Sequence, residues 1–271
     1  MTHPALVDST LEIAGRVATL TMNRNDVRNE LTGTKLAHEI VAVVDWINAT
    51  EAVSALVLTG TGAGFSAGGN VKHMADRVGG SFGGDVYTVQ NKYRHGIQQM
   101  ALAMHRLEVP AIAAINGAAM GAGCDLACMC DIRLAASTAK IGETFVNLGI
   151  IPGDGGGWLL QRLVGTQRAA EMTFSGRVLD AAEAHAIGLV LEVLPPEELL
   201  PRAQAMAATF AAKPPRTVRL TKRLLRAAQK MEMPEYLDLC ALMQGMCHDS
   251  ADHAEAVAAF LEKRPPSYRG A

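Results

Sequence analysis

Three glycine-bearing segments hold the residues whose types and spacing could do chemistry: GTGAGFSAGGN (60–70), INGAAMGAGCDLA (115–127) and NLGIIPGDGGGW (147–158). Glycine and alanine have little or no side chain, so a ligand can approach their backbone closely and amide N–H groups can point into a cavity. Where such a segment opens a helix, as Gly121 to Cys124 does in this reading, free N–H groups and the helix dipole favour developing negative charge. Acyl-transfer and enolate chemistry need that arrangement. For any single segment, tight turns and close helix contacts are an equally good explanation; seventeen of the 26 glycines falling in the stretches 60–84, 117–123 and 149–157 favours the chemical one.

Other chemistries fit less well. The strand ALVLTG ends in glycines at Gly60, Gly62 and Gly64, but the dinucleotide fingerprint needs a third glycine where Phe65 stands, and no Gly-Lys-Ser or Gly-Lys-Thr completes a P-loop. Ser66 lacks the flanks of a nucleophile elbow. His73, His95, His105 and His185 fall in helical segments with no matching serine and acid motif, so a Ser-His-Asp hydrolase is unsupported. Cys124, Cys128 and Cys130 crowd into CDLACMCD among apolar residues without a nearby histidine, which reads as buried thiols and not as a metal site.

The elements that must position these segments alternate. Leu11 to Met22 reads as a hairpin around Ala14-Gly15, Thr34 to Ile47 as a helix with Leu36, Ile40, Val43, Val44 and Ile47 on one face, and Ala55 to Leu58 as a buried strand. A second cycle follows, with a helix over 93–107, a strand over 110–115, a short helix from Ala122 and a strand over 131–135. From Pro195 the pattern is helical, over about 196–212, 215–230, 234–247 and 250–262, with Asp249 or Ser250 as cap for the last. An α/β core over 1–195 followed by a helical region over 196–271 is therefore expected.

Composition narrows the class. The chain has 271 residues, 49% apolar and 19% charged, with a net charge of −2, enough for a sizeable core and too balanced for a broad phosphate-binding surface. No long uncharged apolar run suits a membrane span, and the first fifteen residues lack the pattern of a secretion signal. The expectation is a cytoplasmic protein without nucleic-acid or membrane partners.

At this level the sequence resembles the crotonase superfamily, also called the enoyl-CoA hydratase/isomerase family. GFSAGGNVKHM (64–74) is similar to its Phe-Ser-Ala-Gly-x-Asp segment, and PAIAAINGAAMGAGCDLACMCDIRLA (110–135) to its second signature. TMNRNDVRNEL (21–31), LGIIPGDGGGWLLQRLVG (148–165) and AFLEKRPPSYRG (259–270) extend the resemblance over most of the chain. It implies an α/β spiral of ββα units with a C-terminal helical trimerisation region, assembled as a homotrimer or a dimer of trimers. It also implies an acyl-CoA thioester substrate, with coenzyme A as part of that substrate and no separate cofactor or metal.

The resemblance places the oxyanion-hole amides at Gly69 and Ala122. Coenzyme A would lie over Val27 and Arg28, its adenine against the backbone of Ala67, Gly69 and Val71, with Lys72 near the phosphates; Phe260 and Lys263 would reach a neighbouring subunit's site. For Arg28, Lys72 and Lys263 an ordinary solvated charge is the alternative. The family's hydratases use two glutamates. The first position is Asp125 here, and the second is Phe145, which cannot transfer a proton and would line the acyl pocket. Glu143 and Asp154 are the candidate replacements. Were residues 143–145 extended, Glu143 would point to the same side as Phe145, about 7 Å away; its alternative is an exposed charge. Asp154 stands just before a helix, where an N-cap is as good a reading as a catalytic one, and Asp125 could cap its own helix. The implied reaction is hydration of a 2-enoyl-CoA through a stabilised enolate. A one-base double-bond isomerase and a non-catalytic acyl-CoA-binding member are the alternatives. The glycine-rich stretch Gly79–Asp85 reads as a mobile cover over the acyl end.

Overall fold

The computed structural model describes residues 3–76 and 82–270, so the first part of the Gly79–Asp85 stretch lies outside the described residues. A hairpin, β1 (Ser9–Ala14) and β2 (Val17–Met22), turns at Gly15, and α1 (Leu36–Ala49) leads to β3 (Ala55–Gly60). There follow β4 (Gly64–Ser66), α2 (Val71–Asp76), α3 (Val86–His95), α4 (Ile97–Arg106), β5 (Ala111–Ile115), β6 (Ala118–Met120), α5 (Ala122–Met129), β7 (Ile132–Ala136) and β8 (Lys140–Gly142). Then come α6 (Gly156–Val164), α7 (Thr166–Ser175), β9 (Leu179–Asp180), α8 (Ala181–Ala186) and β10 (Glu192–Leu194). The chain closes with α9 (Pro196–Ala211), α10 (Pro215–Ala227), α11 (Met233–His248) and α12 (Ala251–Glu262). Where one helix was expected over 93–107 there are two, because Gly96 leaves helical geometry at φ −110°, ψ −114°. Ser250 caps α12 by accepting the His253 N–H.

The strands form a six-stranded sheet in the order β1-β2-β3-β5-β7-β10 and a four-stranded sheet in the order β4-β6-β8-β9. Three times the chain runs one strand through the large sheet and the next through the small one: β3 then β4, β5 then β6, β7 then β8. That repeat is the ββα spiral. Parallel strands of the large sheet are apolar on both faces, as sheets covered on both sides must be. Leu20, Leu56, Leu58, Ala113 and Ile115 face the main core with α1, α4 and α5, while the alternate residues Val17, Val57, Ile112, Ala114 and Leu134 face α9. Helix α1 buries Leu36, Ile40, Val43, Val44 and Ile47 to 1% exposure or less, and each such side chain contributes about 1.5–3 kcal/mol.

The helical region is tied to the core. Leu199, Ala203, Met206 and Ala207 of α9 cover the outer face of the large sheet. From α10, the buried Lys222 donates to Asp131 Oδ2 at 2.6 Å and to the Val109 carbonyl at 2.5 Å, and Arg219 donates to Glu108 at 3.0 Å. Among the described residues no helix is long and apolar enough to cross a membrane.

Candidate active site

The two strand-to-helix crossings that precede α2 and α5 meet at the first wall of the site. Arg28 and Asn29 are both left-handed, at φ 55° and 53°. Buried Asn29 accepts the Arg24 N–H and donates to the carbonyls of Thr61 and Gly64, which fixes the loop between β3 and β4. Ser66 donates to the Asn29 carbonyl and accepts from Gly68 N–H, so its fully buried hydroxyl is a structural link and not a nucleophile. Gly68 has φ +76°, and a Cβ there would strike the Met120 carbonyl oxygen and come within 3.0 Å of the Ala122 amide nitrogen. Only glycine lets these two loops meet so closely.

Their meeting places Gly69 and Ala122 on one cavity of about 290 Å³, together with Thr32, Ala67, Val71, Met120 and Gly121. Ala122 is the first residue of α5, where an amide has no partner within its own helix. Among the described residues neither the Gly69 nor the Ala122 N–H has an acceptor. An unpaired donor at a helix N-terminus together with a second unpaired loop amide can hold an oxygen that gains negative charge.

Three carboxyls are buried, one of them on this cavity. Asp125, Glu143 and Asp154 are 0%, 0% and 4% exposed. Asp125, on α5, accepts the Gly156 N–H on Oδ2 at 3.1 Å. It therefore serves the start of α6 and not its own helix, whose N-terminus is Gly121. A Cβ on Gly156 would collide with Asp125 Oδ1 and Glu143 Oε1, so these two oxygens converge over the same backbone atom. Among the described residues no N–H or hydroxyl reaches Asp125 Oδ1, either oxygen of Glu143 or either oxygen of Asp154. Capping by Asp154 is thereby overturned: Gly155 precedes α6, and the amide it would have taken goes to Asp125.

Glu143 departs from both expectations. It is wholly buried, and residues 144–148 form a 3-10 turn, so the two-residue alternation of a strand does not apply. Phe145 consequently lines the cavity while Glu143 stands behind it. Of the three carboxyls only Asp154 lines the cavity. Burial pushes all three carboxyls above the usual range, Asp125 most clearly, and the neighbouring Asp154 and Glu143 push Asp125 further. The neighbouring Asp125 partly offsets the rise at Glu143 and Asp154.

Tyr93, not expected from the sequence, also lines the cavity, and burial together with the Asp154 charge pushes its phenol up. Tyr93 lies in a helix with no buried residue, so no apolar periodicity marks it; being one of only four tyrosines is its one signal. Val27 is half-buried on a 3-10 turn and Arg28 and Lys72 are exposed; the Arg28 carbonyl accepts the N–H of Ala67, which lines the cavity, at 2.9 Å, while Val27, Arg28 and Lys72 are not among the lining residues. Phe260, 83% exposed, and Lys263 are not among the residues lining the cavity. A larger groove of about 710 Å³ runs between α4, α6 and α10, and none of the expected site residues lines it. Cys124, Cys128 and Cys130 are buried free thiols.

With this geometry in place, comparison with known proteins identifies the class. Residues 12–271 match the model of the enoyl-CoA hydratase/isomerase family. The chain is 36% identical over 265 residues to a crotonyl-CoA hydratase of Syntrophomonas wolfei, covering 95% of this chain and 96% of that one. It is 35% identical over 257 residues to a short-chain-enoyl-CoA hydratase of Clostridium acetobutylicum, covering 94% of each. The crystal structure of an enoyl-CoA hydratase from Bacillus anthracis superposes with a TM-score of 0.90 at 32% identity, covering 98% of this chain and all of the other. The chain belongs to the enoyl-CoA hydratase/isomerase family, and its α/β spiral is the crotonase fold.

Proposed function

We propose that this chain hydrates a 2-enoyl-CoA through a thioester enolate. The observation that carries the reading is the placement of the acceptor-free amides of Gly69 and Ala122 and the carboxylate of Asp154 on one cavity. The names of the relatives favour hydration. In this reading the thioester oxygen accepts both amide hydrogens. Asp154 takes a proton from water as the water oxygen bonds to Cβ, the double-bond electrons move onto the thioester oxygen, and Asp154 returns that proton to Cα as the enolate collapses. One carboxylate thus serves as base and then as acid. Burial suits it to the first task by raising its proton affinity.

The remaining assignments belong to the same proposal. Coenzyme A lies along Val27, Arg28, Ala67 and Val71 with Lys72 at its phosphates, and Phe145 bounds the acyl pocket. Phe260 and Lys263 serve a neighbouring subunit within a homotrimer or a dimer of trimers. Residues 1–195 form the site-bearing core and 196–271 the region of assembly. The setting is cytoplasmic, and no separate cofactor is used.

A second reading, double-bond isomerisation, draws on Asp154 being the one carboxyl of the three on the cavity, because moving a double bond needs a single group that removes a proton from Cα and returns it at Cγ. Purified protein is incubated with crotonyl-CoA and, separately, with a 3-enoyl-CoA. Loss of the 2-enoyl absorbance from the first is the result expected; its appearance from the second, without loss from the first, would establish the isomerase instead.

A further inference from the structure

Asp154 is carried by a segment with little of its own to hold it. Residues 151–154 belong to no helix or strand. Among the described residues a single hydrogen bond reaches any of them: the Gln98 side-chain amide donates to the Gly153 carbonyl at 2.8 Å. Neither oxygen of Asp154 meets a donor. A reacting group mounted on such a segment is only as well placed as the contacts its neighbours make.

Those contacts come from one place, the break between α3 and α4. Tyr93 stands just before Gly96 and Gln98 just after it. In an unbroken helix, positions five apart point about 140° away from each other and face different neighbours. The turn at Gly96 instead brings both side chains onto Gly153. The Gln98 amide takes its carbonyl, and a Cβ on Gly153 would lie 3.1 Å from Tyr93 Cε1, so the ring edge packs directly on this residue. Ala101, one turn beyond Gln98 on the same face of α4, backs Gly155, its Cβ 4.0 Å from where a Cβ on Gly155 would stand. Both chain neighbours of Asp154 therefore rest on α4, and Tyr93 closes over the first of them.

Gln98 is half-buried and does not line the cavity, so it can act on the reaction only through Gly153; Tyr93 and Asp154 both line it. We infer that Gln98 and Tyr93 are positioning residues: from the two sides of Gly96 they clamp Gly153 and so hold the Asp154 carboxyl at the cavity. Glutamine does this through its NH₂, a donor that methionine of similar length lacks, and tyrosine through its ring, which phenylalanine keeps and alanine does not. The kinetic consequences rest on the proposed role of Asp154; the clamp itself does not.

Two measurements on the intact chain therefore test the inference separately. Crystal structures of the substrate-free wild type and Gln98→Met are expected to differ at residues 151–155, with Asp154 displaced by about 1 Å or more while α5 superposes. Asp154 unmoved in the variant would overturn the inference, whatever the activity. In turnover of the substrate found active, Gln98→Met should lower kcat by about 10- to 10²-fold with KM nearly unchanged, the cost of a misplaced reacting group. A raised KM with kcat intact would make Gln98 a binding residue and overturn its positioning role. Tyr93→Phe should retain about tenfold more kcat than Tyr93→Ala. Equal loss in both would assign the effect to the hydroxyl and overturn the place of Tyr93 in the clamp. Displacement of Asp154 in Gln98→Met without loss of kcat, or with no acyl-CoA turned over even by the wild type, would sink the proposed function and leave the clamp standing.

Discussion

The two walls of the cavity are built on different principles. The wall of Gly69 and Ala122 is backbone: two amides whose positions follow from where the loops before α2 and α5 touch, held by Asn29, Ser66 and the missing side chain of Gly68. The carboxyl wall is side chain: Asp154 lines the cavity, the buried Asp125 and Glu143 do not, and the charges of the three depend on one another. At residue 122 the amide wall uses the backbone and not the side chain, which is how alanine can stand there, although Gly68 beside it must stay glycine. The carboxyl wall can be changed by one substitution.

This contrast can be broken most severely at Asp154. Replacing it with Asn should reduce turnover by about 10²–10⁴-fold while thermal unfolding stays close to wild type; activity within tenfold of wild type would remove Asp154 from the reaction. On the amide wall, Ala122→Pro deletes one N–H at the first position of a helix, a site that tolerates proline. A rate loss of about 10²–10³-fold with an almost unchanged Tm is expected, and a variant as active as wild type would show that this amide does not hold the substrate oxygen.

The smaller effects concern pH. In the proposed mechanism Asp154 works ionised, and burial raises its proton affinity, so activity should be present above its raised value and fall as pH drops through it; the acid limb of kcat/KM should then lie above the ordinary aspartate value of about 3.9. Glu143 is raised too, so its stabilising contribution is complete below the unfolded glutamate value of about 4.3 and is lost as pH rises through its folded value. Glu143→Gln should therefore raise Tm by roughly 2–4 °C, equivalent to about 1 kcal/mol, at neutral and higher pH. The gain should shrink toward pH 4; a Tm lowered across the whole range would show that the buried charge is not a cost.

The loops of the amide wall were legible in the sequence because their determinants are local, namely glycines at close spacing, a helix opening at Gly121 and a strand before each loop, whereas the choice of Gly69 and Ala122 came from the family resemblance. Five strands of the large sheet and α1 were legible for the same reason, through alternation, short apolar runs and a period of three to four residues, while β10 was not read. The carboxyl wall was legible in composition but not in arrangement. Nothing in the segment 143–145 announces a 3-10 turn, which is what puts Phe145 on the cavity and Glu143 behind it. Nor could the sequence tell which residue would take the first amide of α6, because Asp125 and Gly156 are 31 residues apart and meet only through the packing of α5 on α6. The break at Gly96 was missed because glycine is tolerated inside a helix as well as at its end.

The bond between Lys222 and Asp131 has a consequence for how the chain is made. Asp131 lies at the entrance to β7, beside the elements that carry the site, and its partner follows 91 residues later. At about 5–20 residues per second, a ribosome needs roughly 5–20 s to deliver that partner. During that interval the spiral has its strands but lacks the ammonium that its 109–131 corner shares with α10. Completion of the strand-bearing part is thus timed by the synthesis of the helical part.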